Sequence, residues 1–225
     1  QVSEDFNTYL NRLNVVNCSI SNSVIGKESS SHNNIYILTQ EKAIAAFCSD
    51  KNVFSNNLIL VADEIQNIER IKEDNDERAL AFAEKHKDTK FHMCVGAGNT
   101  WGETYCFAMC VLEEMQWIAT KSIHAAEFFH GTVEMTEKDM SFMLFKGEDE
   151  TRPLLDRVEK FVRKYSDVVQ VWDTKDYELK GVDPSVRGLV SPLVMAAQLE
   201  RVSAHFEHVR NHSLEIRRYY RTVEY

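Results

Sequence analysis

The feature that most constrains this chain is a change of rhythm that begins near residue 90 and then repeats. Residues 91–95 form a short, mostly apolar run, Gly96-Ala97-Gly98-Asn99-Thr100 follows as a turn, and residues 101–120 are apolar almost all round. That succession reads as strand, tight connection and buried helix, with Thr100 as the predicted N-cap. A second unit opens with a short strand at 122–124 and continues with an apolar run at 140–146, expected of a strand covered on both faces. Residues 152–165 carry Leu154, Leu155, Val158, Phe161 and Val162 at helical spacing, residues 168–172 read as a third strong strand, and 192–209 as a closing helix with Pro192 at its start. Alternating strands and helices predict an α/β fold, a parallel sheet with helices on both faces.

The amino-terminal part has a different character. Gly26 is the one glycine before residue 96, and Asn, Ser and charged residues are frequent. Residues 35–47 and 57–86 carry helix-like spacing. The second stretch is interrupted by Glu73-Asp74-Asn75-Asp76-Glu77, which predicts two helices or one long broken helix. Residues 29–34 read as a loop, and no internal repeat is present.

Bulk properties narrow the class. At 225 residues and 44% hydrophobic content the chain can bury one substantial core. A net charge of −9 argues against nucleic-acid or anionic-membrane partners, because phosphate backbones select a concentrated positive face. The five cysteines, at 18, 48, 94, 106 and 110, are odd in number and lack C-x-x-C spacing. Cys106 and Cys110 lie one helical turn apart in the apolar run, where free cysteine acts as a small hydrophobe. No apolar stretch reaches the roughly 18 residues of a membrane span, and the start lacks the order of a signal peptide, so a cytoplasmic location is expected.

Within this frame several motifs stand together: Val95-Gly96-Ala97-Gly98, Met115-Gln116-Trp117, Glu127-Phe128-Phe129-His130-Gly131, residues 145–152 (Phe-Lys-Gly-Glu-Asp-Glu-Thr-Arg), and Arg217-Arg218-Tyr219-Tyr220 with Val223-Glu224-Tyr225. In these the chain resembles, from about residue 65 onward, the sugar isomerase (SIS) superfamily, and within it the deglycases of phosphorylated fructosamines. The resemblance implies a three-layer α/β SIS fold. Members usually carry two SIS lobes, which implies that residues 1–64 are a remnant or diverged part of the first lobe plus a connecting helix. Residues 65–225 would be the second lobe with a C-terminal tail. The first lobe of the family holds the sugar phosphate on a glycine and serine loop. Gly26-Lys27-Glu28-Ser29-Ser30-Ser31 has suitable residue types but lacks a flanking strand and helix, and reads as a solvated serine loop.

The resemblance further implies that a glutamate moves a proton between C1 and C2 of a ketosamine 6-phosphate and that a histidine assists. Glu114 and His130 match those positions, and both residue types can exchange protons near neutral pH once a carboxylate is buried. Gly98, Asn99, Thr100, His124 and Glu127 are the candidate substrate contacts. Each has a plainer use: Glu114 facing solvent or pairing with Lys121, His130 capping a turn, His124 packing in the core, Glu127 accepting backbone N–H bonds. Glu113 is expected to be exposed. His124, Glu127 and His130 would share one face only on a helix, and Phe128-Phe129 with Gly131 favour an irregular path, so no metal is expected and no cofactor is implied. Ala126 and Thr132 stand where related chains place glycine and proline, and the terminus lacks the Schiff-base lysine of glucosamine-6-phosphate synthases, which favours acid–base chemistry. The expected activity is release of an amine from a 6-phosphorylated fructosamine to give a hexose 6-phosphate, by a homodimer or larger homo-oligomer. The alternative is a non-catalytic sugar-phosphate-binding or assembly module, or one part of a split enzyme.

Overall fold

A computed structural model describes the backbone of residues 59–224 and the side chains of residues 67–224. The readings at 26–31, 29–34 and 35–47, and Cys18 and Cys48, lie outside the described residues. Four parallel strands, β1 (Phe91–Gly96), β2 (Ala119–His124), β3 (Phe142–Lys146) and β4 (Val169–Asp173), form one sheet in the order β2-β1-β3-β4. Register is fixed across it, with Gly96 opposite both His124 and Phe145, and Lys146 opposite Asp173. The strands therefore end together, and their carboxyl ends make one edge of the molecule.

Alternation along the strands sorts side chains into two cores. Cys94, Met143, Phe145 and Trp172 face α1 (Ile59–His86), the helix that follows β1, and α4 (Arg187–Arg210), through Phe82, Leu112, Met195, Val202 and Phe206. Met93, Val95, Phe142 and Leu144 face α3 (Arg152–Tyr165) through Leu155, Val158 and Val162. Every residue of β3 is buried, as a central strand covered on both faces requires. This is the three-layer α/β arrangement that the strand and helix rhythm predicts.

Several local expectations change. α1 is unbroken through the acidic stretch, because its polar residues meet partners on α4: Asn75 Nδ2 donates to the Gln198 carbonyl at 2.9 Å, and Asp76 accepts from Arg201 and His205. α4 starts at Arg187, so Pro192 lies inside it rather than at its first turn. A proline there cannot donate to the carbonyl of Gly188. That carbonyl instead accepts from Asn99 Nδ2 at 2.9 Å, so a side chain from the first βα turn repairs the helix. Thr100 makes no side-chain capping bond; its hydroxyl donates instead to the Phe145 carbonyl at 2.9 Å. The helix after β1 is not buried all round, since Tyr105, Cys106 and Met109 are exposed. It runs as α2 (Trp101–Cys106) and then as a π-helix (Phe107–Met115), stopping before the predicted residue 120 because β2 already begins at Ala119.

Candidate active site

Glu114 sits at the end of the π-helix, on the edge of the sheet where β2 begins. Its wider turn is closed by the Gln116 N–H on the Val111 carbonyl at 2.9 Å, an i→i+5 bond of the kind that interrupts helices at functional positions. The fully buried Gln116 then fastens this end to α4. Its Nε2 donates to the His212 carbonyl at 2.8 Å, and Arg210 donates to its Oε1 at 3.1 Å and to its carbonyl at 3.0 Å. Asn211, left-handed at φ 46°, ends α4 as asparagine can, and turns the tail toward the π-helix.

Trp117 is left-handed too, at φ 56°, a costly conformation for a bulky residue that surrounding contacts must enforce. They do: the His212 ring stands edge-on at 4.3 Å and the Arg218 guanidinium lies 3.8 Å over the indole centroid. The tail thereby forms one side of an open pocket of about 420 Å³ whose wall includes Glu113, Glu114, Trp117, Arg217, Arg218 and Tyr220. Arg217 Nε donates to Glu114 Oε1 at 2.8 Å, and its Nη1 donates to the carbonyls of Leu214 and Ile216. Glu114 thus pairs with Arg217 rather than with Lys121, whose ammonium donates to Thr132 Oγ1 at 3.1 Å. Glu113, exposed, accepts from the Thr120 N–H and hydroxyl.

His130 lies elsewhere. The strand β2 carries the chain across the sheet, about 17 Å at roughly 3.3 Å per residue, before His124 and the short 3-10 turn Phe128–His130. Within one copy Glu114 and His130 therefore occupy opposite edges. Phe128, fully buried, anchors the turn beside Phe142 and Phe161, a burial that stabilises it by about 2–3 kcal/mol. His130 itself is exposed, as is Glu127, whose carbonyl accepts the His130 N–H at 2.9 Å. His124 is half-buried, with Nδ1 accepting the Ala126 N–H at 3.3 Å and its ring edge-on to Trp101. Among the described residues no three His, Cys, Asp or Glu side chains group as metal ligands.

The glycine turn lies on this same edge and already cradles an anion of the chain. Gly98 has φ 53°, and a Cβ there would overlap the Asp149 carboxylate and the Thr151 hydroxyl. The Asn99 N–H donates to Asp149 Oδ2 at 2.7 Å. Burial pushes the Asp149 carboxyl up, but the Thr151 hydroxyl and the N–H groups of Asn99 and Thr151 outweigh it and hold it below the usual range. Thr100 is fully buried and faces carbonyls, while Asn99 is spent on Asp149 and Gly188.

No family model matches the chain. Over 164 residues, 72% of the chain, it is 35% identical to fructosamine deglycase FrlB of Bacillus subtilis, covering 50% of that protein. It is 30% identical to the fructoselysine 6-phosphate deglycase of Escherichia coli K12 over 126 residues, 56% of this chain and 36% of that one. A Bacillus subtilis crystal structure of phosphosugar isomerase type superposes with a TM-score of 0.69 at 35% identity, covering 71% of this chain and 49% of the other. In sequence and fold this domain is similar to the fructosamine deglycases. The chain spans about half the length of FrlB and of that solved structure.

In this deglycase-like domain, residues 145–152, prominent in the resemblance, form the framework of the strand-end edge. Lys146 is buried between Asp156 at 2.6 Å and Glu159 at 2.7 Å. Arg152 grips Asp173 with two bonds of 2.9 and 2.5 Å and donates to the Gly147 carbonyl. Glu148 holds Arg187 at the start of α4 through bonds of 2.8 and 2.7 Å. Three charged ties thus join β3, α3, β4 and α4. The density of opposite charges in 145–152 was the available signal for Arg152; Asp173 and Arg187 carried none.

Proposed function

We propose that the chain is the catalytic second lobe of a deglycase that converts a 6-phosphorylated fructosamine into a hexose 6-phosphate and a free amine. The observation that carries this reading is Glu114, held by Arg217 in a tail-lined pocket of a domain similar to fructosamine deglycases. Glu114 takes the proton from C1 of the ketosamine and returns it to C2, while the C2 carbonyl oxygen gains a proton and the nitrogen gives one up, leaving a C1=N imine beside a C2 hydroxyl. Water adds at C1 and the amine departs as C1 becomes the aldehyde carbon. Arg217 keeps the carboxylate oriented between turnovers. His130 protonates the sugar oxygen or the leaving amine.

Because the two residues lie on opposite edges of one copy, His130 is supplied by a second copy, and the active form is a homodimer or larger homo-oligomer. The exposed turn residues Gly98 and Asn99 border the substrate-facing wall beside that histidine, with His124 and Glu127 at its rim, while the buried Thr100 supports the turn from beneath and does not itself meet substrate. Residues 1–64 represent a remnant or diverged part of a first lobe plus its connecting helix, 65–225 the second lobe with its tail, and the setting is cytoplasmic.

The test is to incubate the chain with fructoselysine 6-phosphate and related Amadori products and follow glucose 6-phosphate release. Glu114→Gln and His130→Ala should each lower turnover about a thousandfold. Mixed and re-associated one to one, the two variants should recover about a quarter of wild-type activity, since one site in each mixed dimer is intact. Absence of release across the substrate panel by the wild-type chain would sink the proposal.

A further inference from the structure

The pocket beside Glu114 contains one guanidinium whose hydrogen-bonding capacity the fold leaves unspent. Glu113 is committed to Thr120, Glu114 to Arg217, and Arg217 to Glu114 and two tail carbonyls. Arg218 is exposed and stacks on Trp117, and among the described residues no carboxylate or carbonyl accepts from it. Stacking leaves the N–H edge of a guanidinium open, in the flat fork that matches a carboxylate. The stacking partner is held left-handed at φ 56°, a conformation that generally persists only where surrounding contacts impose it.

The proposed reaction decides which anion would arrive there, and the argument rests on that reading. Glu114 serves C1 and C2, and C1 carries the amine. If that amine belongs to an α-amino acid, only the nitrogen and one carbon stand between C1 and a carboxylate, whereas the phosphate hangs from the far end of the sugar. The cation next along the tail from the partner of Glu114 is thus set to meet the amine half of the substrate. We infer that Arg218 is a specificity residue that binds the α-carboxylate of an amino acid glycated through its α-nitrogen, with Trp117 as its platform.

The test compares two ligands that differ only in this group: fructosyl-glycine 6-phosphate and fructosyl-methylamine 6-phosphate. Binding to the whole chain is followed by tryptophan fluorescence and turnover by hexose 6-phosphate release. The wild-type chain should bind the carboxylate-bearing ligand at least about tenfold more tightly, as a charge-assisted pair implies. Arg218→Gln should abolish that preference, weakening binding of the carboxylate-bearing ligand at least about tenfold more than that of the methylamine compound. Arg218→Lys should keep part of the preference, and Arg221→Gln, a guanidinium on the same tail outside this pocket, all of it. Equal affinity for the two ligands, binding of neither, or a preference that survives Arg218→Gln would overturn the inference. Discrimination in binding without any turnover would uphold it and count against the deglycase reading alone.

Discussion

Replacing Asp173 by Asn tests the charged framework at the carboxyl end of the sheet. Arg152 and Asp173 are nearly withdrawn from water, with side-chain exposures of 16% and 14%, and they share two hydrogen bonds of 2.9 and 2.5 Å. Breaking a buried pair by removing one charge costs about 3–5 kcal/mol. Here Arg152 keeps the Gly147 carbonyl and asparagine can still accept one bond, so about 2–3 kcal/mol is expected at pH 7. For a chain of this size that corresponds to a melting temperature lower by roughly 5–10 °C. The sign of the pH dependence follows from the direction of the carboxyl shift. Burial pushes the Asp173 carboxyl up, but hydrogen bonds from Arg152 and the Lys175 N–H, with the charges of Arg152 and Lys146, outweigh it and hold it below the usual range. A depressed folded-state value stabilises the fold at all pH above the ordinary carboxyl value, about 4, and that stabilisation fades as pH falls through the folded value. Urea unfolding of both proteins between pH 7 and pH 3 should therefore show a gap that is constant down to about pH 4.5 and narrows below pH 4. A gap under about 1 kcal/mol at neutral pH, or one that does not narrow in acid, refutes the reasoning.

Two further perturbations probe how the first βα turn is built. Gly96→Ala would place a Cβ 2.8 Å from Thr104 Cβ and closer still to its hydroxyl, on a buried threonine bonded back to the Thr100 carbonyl, so overpacking should cost about 3 kcal/mol or more in urea unfolding. Unaltered stability would show that α2 shifts freely against β1. Asn99→Ala should cost about 1 kcal/mol because the Gly188 carbonyl loses its donor, and this cost should largely vanish in a Pro192→Ala background, where the helix supplies that donor itself. A double-mutant cycle with no coupling would show that Asn99 does not compensate for the proline.

How much could be read from the chain depends on whether the deciding interaction is local. Residues 152–165 were legible to both ends because amphipathic spacing is a local signal, and the helix is Arg152–Tyr165. β3 and β4 were legible for the same reason, as short apolar runs with no competing period. α4 was misjudged at its start because the group that tolerates Pro192 is Asn99, distant in sequence. The acidic stretch of α1 looked like a break because the partners of Asn75 and Asp76 lie on α4. An all-round apolar run carries no periodicity, so nothing in residues 107–115 distinguishes a π-helix from an α-helix.

The candidate site follows the same rule with a sharper consequence. Glu114 and His130 were recognisable by type and by their motifs, but motif spacing alone does not say where the chain goes between them. The strand β2 lies in that interval and carries the chain from one edge of the sheet to the other. What the sequence could not display was the company Glu114 keeps: Arg217 is more than a hundred residues away along the chain and reaches it only because Gln116 pins the π-helix to the end of α4 and Asn211 turns the tail back. The Met115-Gln116-Trp117 motif therefore has a physical meaning separate from chemistry. Gln116 fixes the root of the tail, Trp117 receives Arg218, and the two together make a pocket out of a helix end that would otherwise face open solvent.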